Sequence, residues 1–111
     1  MSRLEQNFHA EMLRVYQREK AVRPHNAIRF LQMVTQQGGV GAAKALLNAS
    51  NVSDGFTELY MRGRLDLTVE AVVLREPWRR LFTPDELAIA KTRLDAVGYV
   101  EPAAGAQGTN E

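Results

Sequence analysis

Acid–base or metal chemistry in this chain would fall first to its two histidines, His9 and His25. A catalytic pair needs an orienting carboxylate and a nucleophile within reach, and no recognisable spacing supplies them. No His-x-x-x-His or related ligand arrangement is present either, so both read as structural histidines. Cysteine is absent, which removes thiol catalysis, thiolate metal sites and disulfides. The run Gly38-Gly39-Val40-Gly41, with Lys44 three residues on, is neither a G-x-x-x-x-G-K-[ST] loop nor a G-x-G-x-x-G turn after a strand, and it reads as a tight turn between helices. Asp66 and Glu70 are four apart, but a hydrolytic pair needs a cleft that raises one pKa, and short helices in a chain of this size are not expected to build a deep one. They read as capping and surface carboxylates. The chain is therefore expected not to be an enzyme, with no cofactor and no metal site.

Recognition chemistry is better represented. Tyr60, Arg62, Arg64, Arg75, Trp78, Arg79 and Arg80 gather arginine and aromatic side chains in the middle of the chain, the usual make-up of a protein-binding hot spot. The competing view is a solvated face of surface salt bridges around a core Trp78. A second set, Arg14, Arg18, Arg23 and Arg29, together with the middle arginines, would suit nucleic-acid backbone. Against DNA, Glu58, Asp66, Glu70 and Glu76 lie among the middle arginines and cancel much of their field.

Whole-chain charge agrees with that balance. Fourteen basic and thirteen acidic residues leave a formal charge of +1, which disfavours both a strongly basic nucleic-acid binder and an acidic DNA mimic. Residues 1–52 carry seven basic and three acidic side chains, residues 53–111 seven and ten. With 111 residues and 45% hydrophobic content, one globular domain with a single modest core is expected. The N-terminus has no apolar run that would read as a secretory signal, and no stretch approaches the roughly 20 apolar residues that span a bilayer. No membrane association is expected, and the cytoplasm is the default compartment.

Helices must position these side chains. Leu4, Phe8, Met12, Val15 and Tyr16 recur at spacings of three and four, which predicts a helix over about 3–20 with Arg3, Asn7, Glu11, Arg14 and Arg18 opposite. Pro24 is suited to open a second helix, with Ala27, Phe30, Leu31 and Val34 buried and Gly38 as its left-handed end. A third helix runs from about Val40 to Asn48, and its small residues would let a neighbour approach closely. Ser53 or Asp54 caps a fourth, Phe56 to Arg62, with Phe56, Leu59 and Tyr60 inward and Gly63 at its end. Leu65 to Leu74 is rich in β-branched residues, yet no second strand exists to pair with it, so helix is the better reading, capped by Asp66 or Thr68. Trp78, Leu81 and Phe82 form a turn that plugs the core. Thr83-Pro84-Asp85-Glu86 is a capping box that opens a last helix over 84–97, with Gly98 as its stop. The expected fold is an all-α, compact bundle of five to seven short helices over residues 1–100, followed by a disordered tail over 101–111.

Taken together, certain pieces resemble a known family. They are Arg29-Phe30-Leu31; Gly38-Gly39 followed by Ala42-Ala43-Lys44 and Leu46-Leu47; Gly55-Phe56; Gly63-Arg64-Leu65-Asp66-Leu67-Thr68-Val69-Glu70-Ala71; and Leu81-Phe82-Thr83. The chain resembles, over most of residues 10–99, a family of small uncharacterised bacterial all-helical domains, some found beside or fused to HNH-type or other restriction nucleases. That resemblance implies a bacterial, plasmid or phage setting and an accessory role near nucleic-acid defence, and it carries over no catalytic residue. The expectation is a non-enzymatic module that binds a protein partner in a bacterial or phage defence context through the residues from Tyr60 to Arg80. The alternative is a nucleic-acid-binding accessory domain.

Overall fold

A computed structural model describes residues 2–24 and 27–101. Among these residues the fold is all-α: α1 (Arg3–Val22), α2 (Ala27–Asn48), α3 (Asp54–Met61), α4 (Val69–Val73) and α5 (Pro84–Ala96). Two 3-10 turns, Leu65–Leu67 and Trp78–Leu81, precede and follow α4. His25 and the tail from residue 102 lie outside the described residues, as does part of the expected helix opening at Pro24. The Ala27 N–H donates to the Arg23 carbonyl at 3.2 Å.

The second and third expected helices run on as one element with a break. Gly38 sits at φ 78°, ψ 164°, a backbone conformation that glycine adopts without penalty. The break frees backbone N–H groups at the start of the second half, and the Gly39 N–H donates to Nδ1 of His9 on α1 at 2.9 Å. His9 is thus a structural histidine, and its job is to cap a helix start borrowed from another segment. Gly39 is buried against α1, so close that a Cβ there would lie 2.6 Å from the His9 Cα.

This crossing sets the core. Phe8, Met12 and Val15 of α1 pack with Val34, Ala42, Ala43 and Leu47 of α2, all nearly inaccessible, and with Val72 and Val73 of α4. The Trp78–Leu81 turn closes one side as expected: the Phe8 ring meets Trp78 edge-on at 5.6 Å and Phe82 at 5.4 Å. A smaller cluster joins Phe56, Leu65, Ala71 and Leu94. The stretch from Leu65 to Leu74 is helical but split, because the Thr68 hydroxyl accepts from the Ala71 N–H and starts α4 afresh.

Capping runs through the fold. Thr83 and Glu86 form the expected reciprocal box on α5, and Ser2 with Glu5 forms another on α1. Glu86 does more than cap. Its carboxylate also takes Lys44 Nζ at 2.7 Å and Asn48 Nδ2 at 2.9 Å, which ties α5 to α2. Burial works to raise its pKa, but hydrogen bonds from Lys44, the Thr83 N–H and Asn48, with the Lys44 charge, bring it down to about 2.

Two outcomes follow from this packing. Replacing Gly39 with Ala sets a methyl against α1 backbone that cannot rotate away, so Gly39→Ala should cost about 3 kcal/mol in urea unfolding, outweighing the roughly 1 kcal/mol helix-propensity gain. Gly41→Ala, whose Cβ would meet only the Gln37 side chain at 3.3 Å, should stay within about 1 kcal/mol of wild type. Glu86 ionises more readily folded than unfolded, so its contribution is complete above the ordinary carboxylate range and is lost as pH falls from about 4.5 to about 2. Acid unfolding of Glu86→Gln should lack that part of the wild-type slope.

Candidate functional site

Helix ends carry the site. A helix C-terminus leaves carbonyls without partners and a partial negative charge, so it attracts arginine. α3 ends in a Schellman motif: the Gly63 N–H donates to Tyr60 O and the Arg64 N–H to Leu59 O, with Gly63 at φ 72°. α5 ends the same way, through Gly98 N–H to Asp95 O and Tyr99 N–H to Leu94 O, with Gly98 at φ 73°. Arg75 lies just past α4, its N–H donating to Val72 O. These three terminations bring Arg64, Arg75 and Tyr99 to one place.

Their partners are two carboxylates. Arg64 donates to Asp66 through Nε and Nη2, both at 3.1 Å. Arg75 Nη2 donates to the Asp66 carbonyl at 3.0 Å. The same Arg75 grips Glu101 with two bonds, Nε to Oε2 at 2.6 Å and Nη2 to Oε1 at 3.2 Å, and the Tyr99 hydroxyl donates to Glu101 Oε1 at 2.7 Å. The hydrogen bond from Arg64 holds the Asp66 carboxyl below its usual range. Glu101 is also held low: burial pushes it up, and Arg75 with Tyr99 overcomes that. Burial, then the adjacent Glu101 carboxylate, raises the Tyr99 phenol to about 12.

Of the residues expected to bind a partner, the structure unites Arg64 and Arg75 here. Tyr60 is expected inward, but it lies in the last turn of α3, where the chain turns away at Gly63, and it is half exposed beside Met61, the latter 77% exposed. Arg62 pairs with Glu58 at 3.2 Å. Trp78, Arg79 and Arg80 belong to a separate turn. Trp78 is half-buried on Phe8, Arg79 donates to Leu74 O at 3.2 Å, and Arg80 pairs with Glu76 at 3.4 Å. Among the described residues no side-chain hydrogen bond links that turn to the helix-end cluster.

The second arginine set is divided. Arg14 and Arg18 are exposed on α1, both facing Glu11, and Arg29 is exposed on α2. Arg23 is turned inward and buried, bridging Glu19 and Glu58. It is withdrawn from any surface a nucleic acid would touch.

Three features escaped the sequence. Glu101, expected to begin an unanchored tail, is held by Arg75 and Tyr99. Arg93 on α5 donates to Glu70, to Leu46 O at 3.0 Å and to Ala49 O at 2.6 Å, so it caps the end of α2 from a distant helix. Glu70 is therefore a buried partner of Arg93 rather than a surface carboxylate, and burial raises its pKa against that arginine. Third, a cleft of about 650 Å³ opens between α1, α2, α3 and α4, lined by Glu19, Arg29, Met33, Phe56 and Glu70 among others. Glu19 and Glu70 are each already matched to an arginine, Arg23 and Arg93.

The fold and these ion pairs define an all-α bundle most of whose arginines are spent on carboxylates and helix ends. No family model, no curated protein and no solved structure matches this chain. No helix among the described residues is long and apolar enough to cross a membrane, and no group of three His, Asp or Glu among them is placed to hold a metal ion.

The Tyr99 phenol gives a direct reading of the cluster. A raised tyrosine pKa stabilises the fold below pH 10, and that contribution is lost as pH rises toward 12. Absorbance titration at 295 nm should place Tyr99 near 12, and Glu101→Gln should bring it back toward 10.

Proposed function

We propose that this chain is a non-enzymatic protein-interaction module, and that it acts in a bacterial or phage defence setting. The setting rests on the family resemblance. The binding role rests on one observation above the rest: Tyr60 and Met61 stand side by side and exposed at the end of α3, immediately before Arg62 and Arg64. Large apolar side chains elsewhere in the bundle are mostly buried, so this pair is set apart. An aromatic residue, a flexible thioether and arginines on a rigid helix end supply apolar area with directional donors at its rim. Trp78, Arg79 and Arg80 offer a second, smaller contact on their own turn. The interleaved carboxylates Glu58, Asp66 and Glu76 favour a protein surface over a polyanion, because each is already matched to one of the exposed arginines.

The test is affinity capture of the full chain from its native host, identification of the bound protein by mass spectrometry, and calorimetry with that protein purified. Tyr60→Ala/Met61→Ser removes only exposed side chains and should weaken binding at least about 30-fold, with the helical signal intact. Wild-type affinity in the variant overturns the reading. So does capture of nucleic acid alone, released steeply between low and moderate salt.

A further inference from the structure

We infer that Arg75 and Tyr99 form a receptor for a single carboxylate, that Glu101 occupies it in cis, and that an acidic side chain of the protein partner takes its place. The inference rests on the proposed binding role and names the chemistry of one contact in it. Three donors converge on Glu101: Nε and Nη2 of Arg75, at 2.6 and 3.2 Å, and the Tyr99 hydroxyl at 2.7 Å. A planar guanidinium fork with a third donor at its side is a carboxylate-binding geometry.

The receptor is built on helix ends, whereas its occupant lies past the last helix. Arg75 is fixed by its bond to the Asp66 carbonyl and by the end of α4, and Tyr99 by the Schellman motif of α5 and by packing in the Phe56–Leu94 cluster. Glu101 lies two residues past that motif, and Val100 between them is 83% exposed. Removal of Glu101 would leave Arg75, half-buried, without its own paired carboxylate and with only Asp66 nearby, itself paired with Arg64, so the site retains its demand for a negative charge.

One negative charge suits the site better than two. Asp66 stands in the same network, paired with Arg64 at 3.1 Å and its carbonyl on Arg75 at 3.0 Å. A phosphate dianion there would meet that carboxylate as well as the arginine, whereas a carboxylate restores the charge that Glu101 supplies now. The occupant is thus a carboxylate, an Asp or Glu side chain, rather than a phosphate dianion. While Glu101 is bound, the partner's acid meets a receptor that is only fractionally open, which weakens its apparent affinity by that fraction.

The experiment uses the full chain with three probes: acetylated, amidated tetraglutamate, the matching tetraglutamine, and inorganic phosphate. Binding is followed by ¹⁵N NMR at the Arg75 Nε–H. Glu101→Gln should bind tetraglutamate at least about fivefold more tightly than wild type, with the Arg75 resonance shifting and tetraglutamine leaving it still. Adding Tyr99→Phe, which keeps the packed ring and deletes only the hydroxyl, should reverse most of that gain. Equal affinity in wild type and Glu101→Gln overturns the inference, as do shifts that bypass Arg75 or phosphate binding tighter than tetraglutamate. The two readings fail separately. A partner lost by Tyr60→Ala/Met61→Ser but indifferent to Glu101→Gln removes only this one, and tetraglutamate binding at Arg75 without any effect of Tyr60 or Met61 on the partner removes only the other.

Discussion

Bare backbone against bare backbone, where α2 crosses α1 at Gly39, is the contact on which this bundle is built. A methyl group at that position would sit 2.6 Å from a main-chain atom of α1, so the two long helices come together only because position 39 has no side chain. The preceding break at Gly38 makes the approach workable, since it turns the second half of α2 and leaves N–H groups that His9 can satisfy. From that crossing the placement of Phe8 and Met12 follows, and from Phe8 the seating of Trp78 and Phe82. The short elements α3, α4 and α5 are then arranged around a frame that the glycine pair determines.

Charge is organised by the same economy of helix ends. Arg93 closes the carbonyl end of α2, Arg23 sits past the end of α1, and Arg64 and Arg75 follow α3 and α4. Each also finds a carboxylate: Glu70, Glu19 with Glu58, Asp66 and Glu101. In a near-neutral chain, these four arginines are thus each matched to a negative charge. What distinguishes the middle of the molecule is where its arginines are held, and the exposed Tyr60–Met61 pair beside them.

Much of the frame was legible in the sequence because its causes are local. The Thr83–Glu86 box and the glycines at 38, 63 and 98 are read from neighbours within a turn, and all appear where their spacing puts them. The Ser2–Glu5 box rests on an equally local spacing. The ion pairs were less accessible. Arg93 meets Leu46 and Glu70 across 47 and 23 positions, and Arg75 meets Glu101 across 26, distances at which no periodicity speaks. Arg23 looked like a surface cation because burial of a charge depends on a partner that only folding supplies. The candidate site was therefore half visible, its arginines by composition and its geometry not at all.

Arg64, Arg75 and Tyr99 stand just beyond three successive helices and touch one another's partners only when all three are docked. The grip on Glu101 consequently works as a roll call. A chain with α5 adrift, or with α4 unwound, lacks one or more of the three donors and leaves Glu101 unheld. The Arg75–Glu101 contact is thereby confined to molecules whose last two helices have docked.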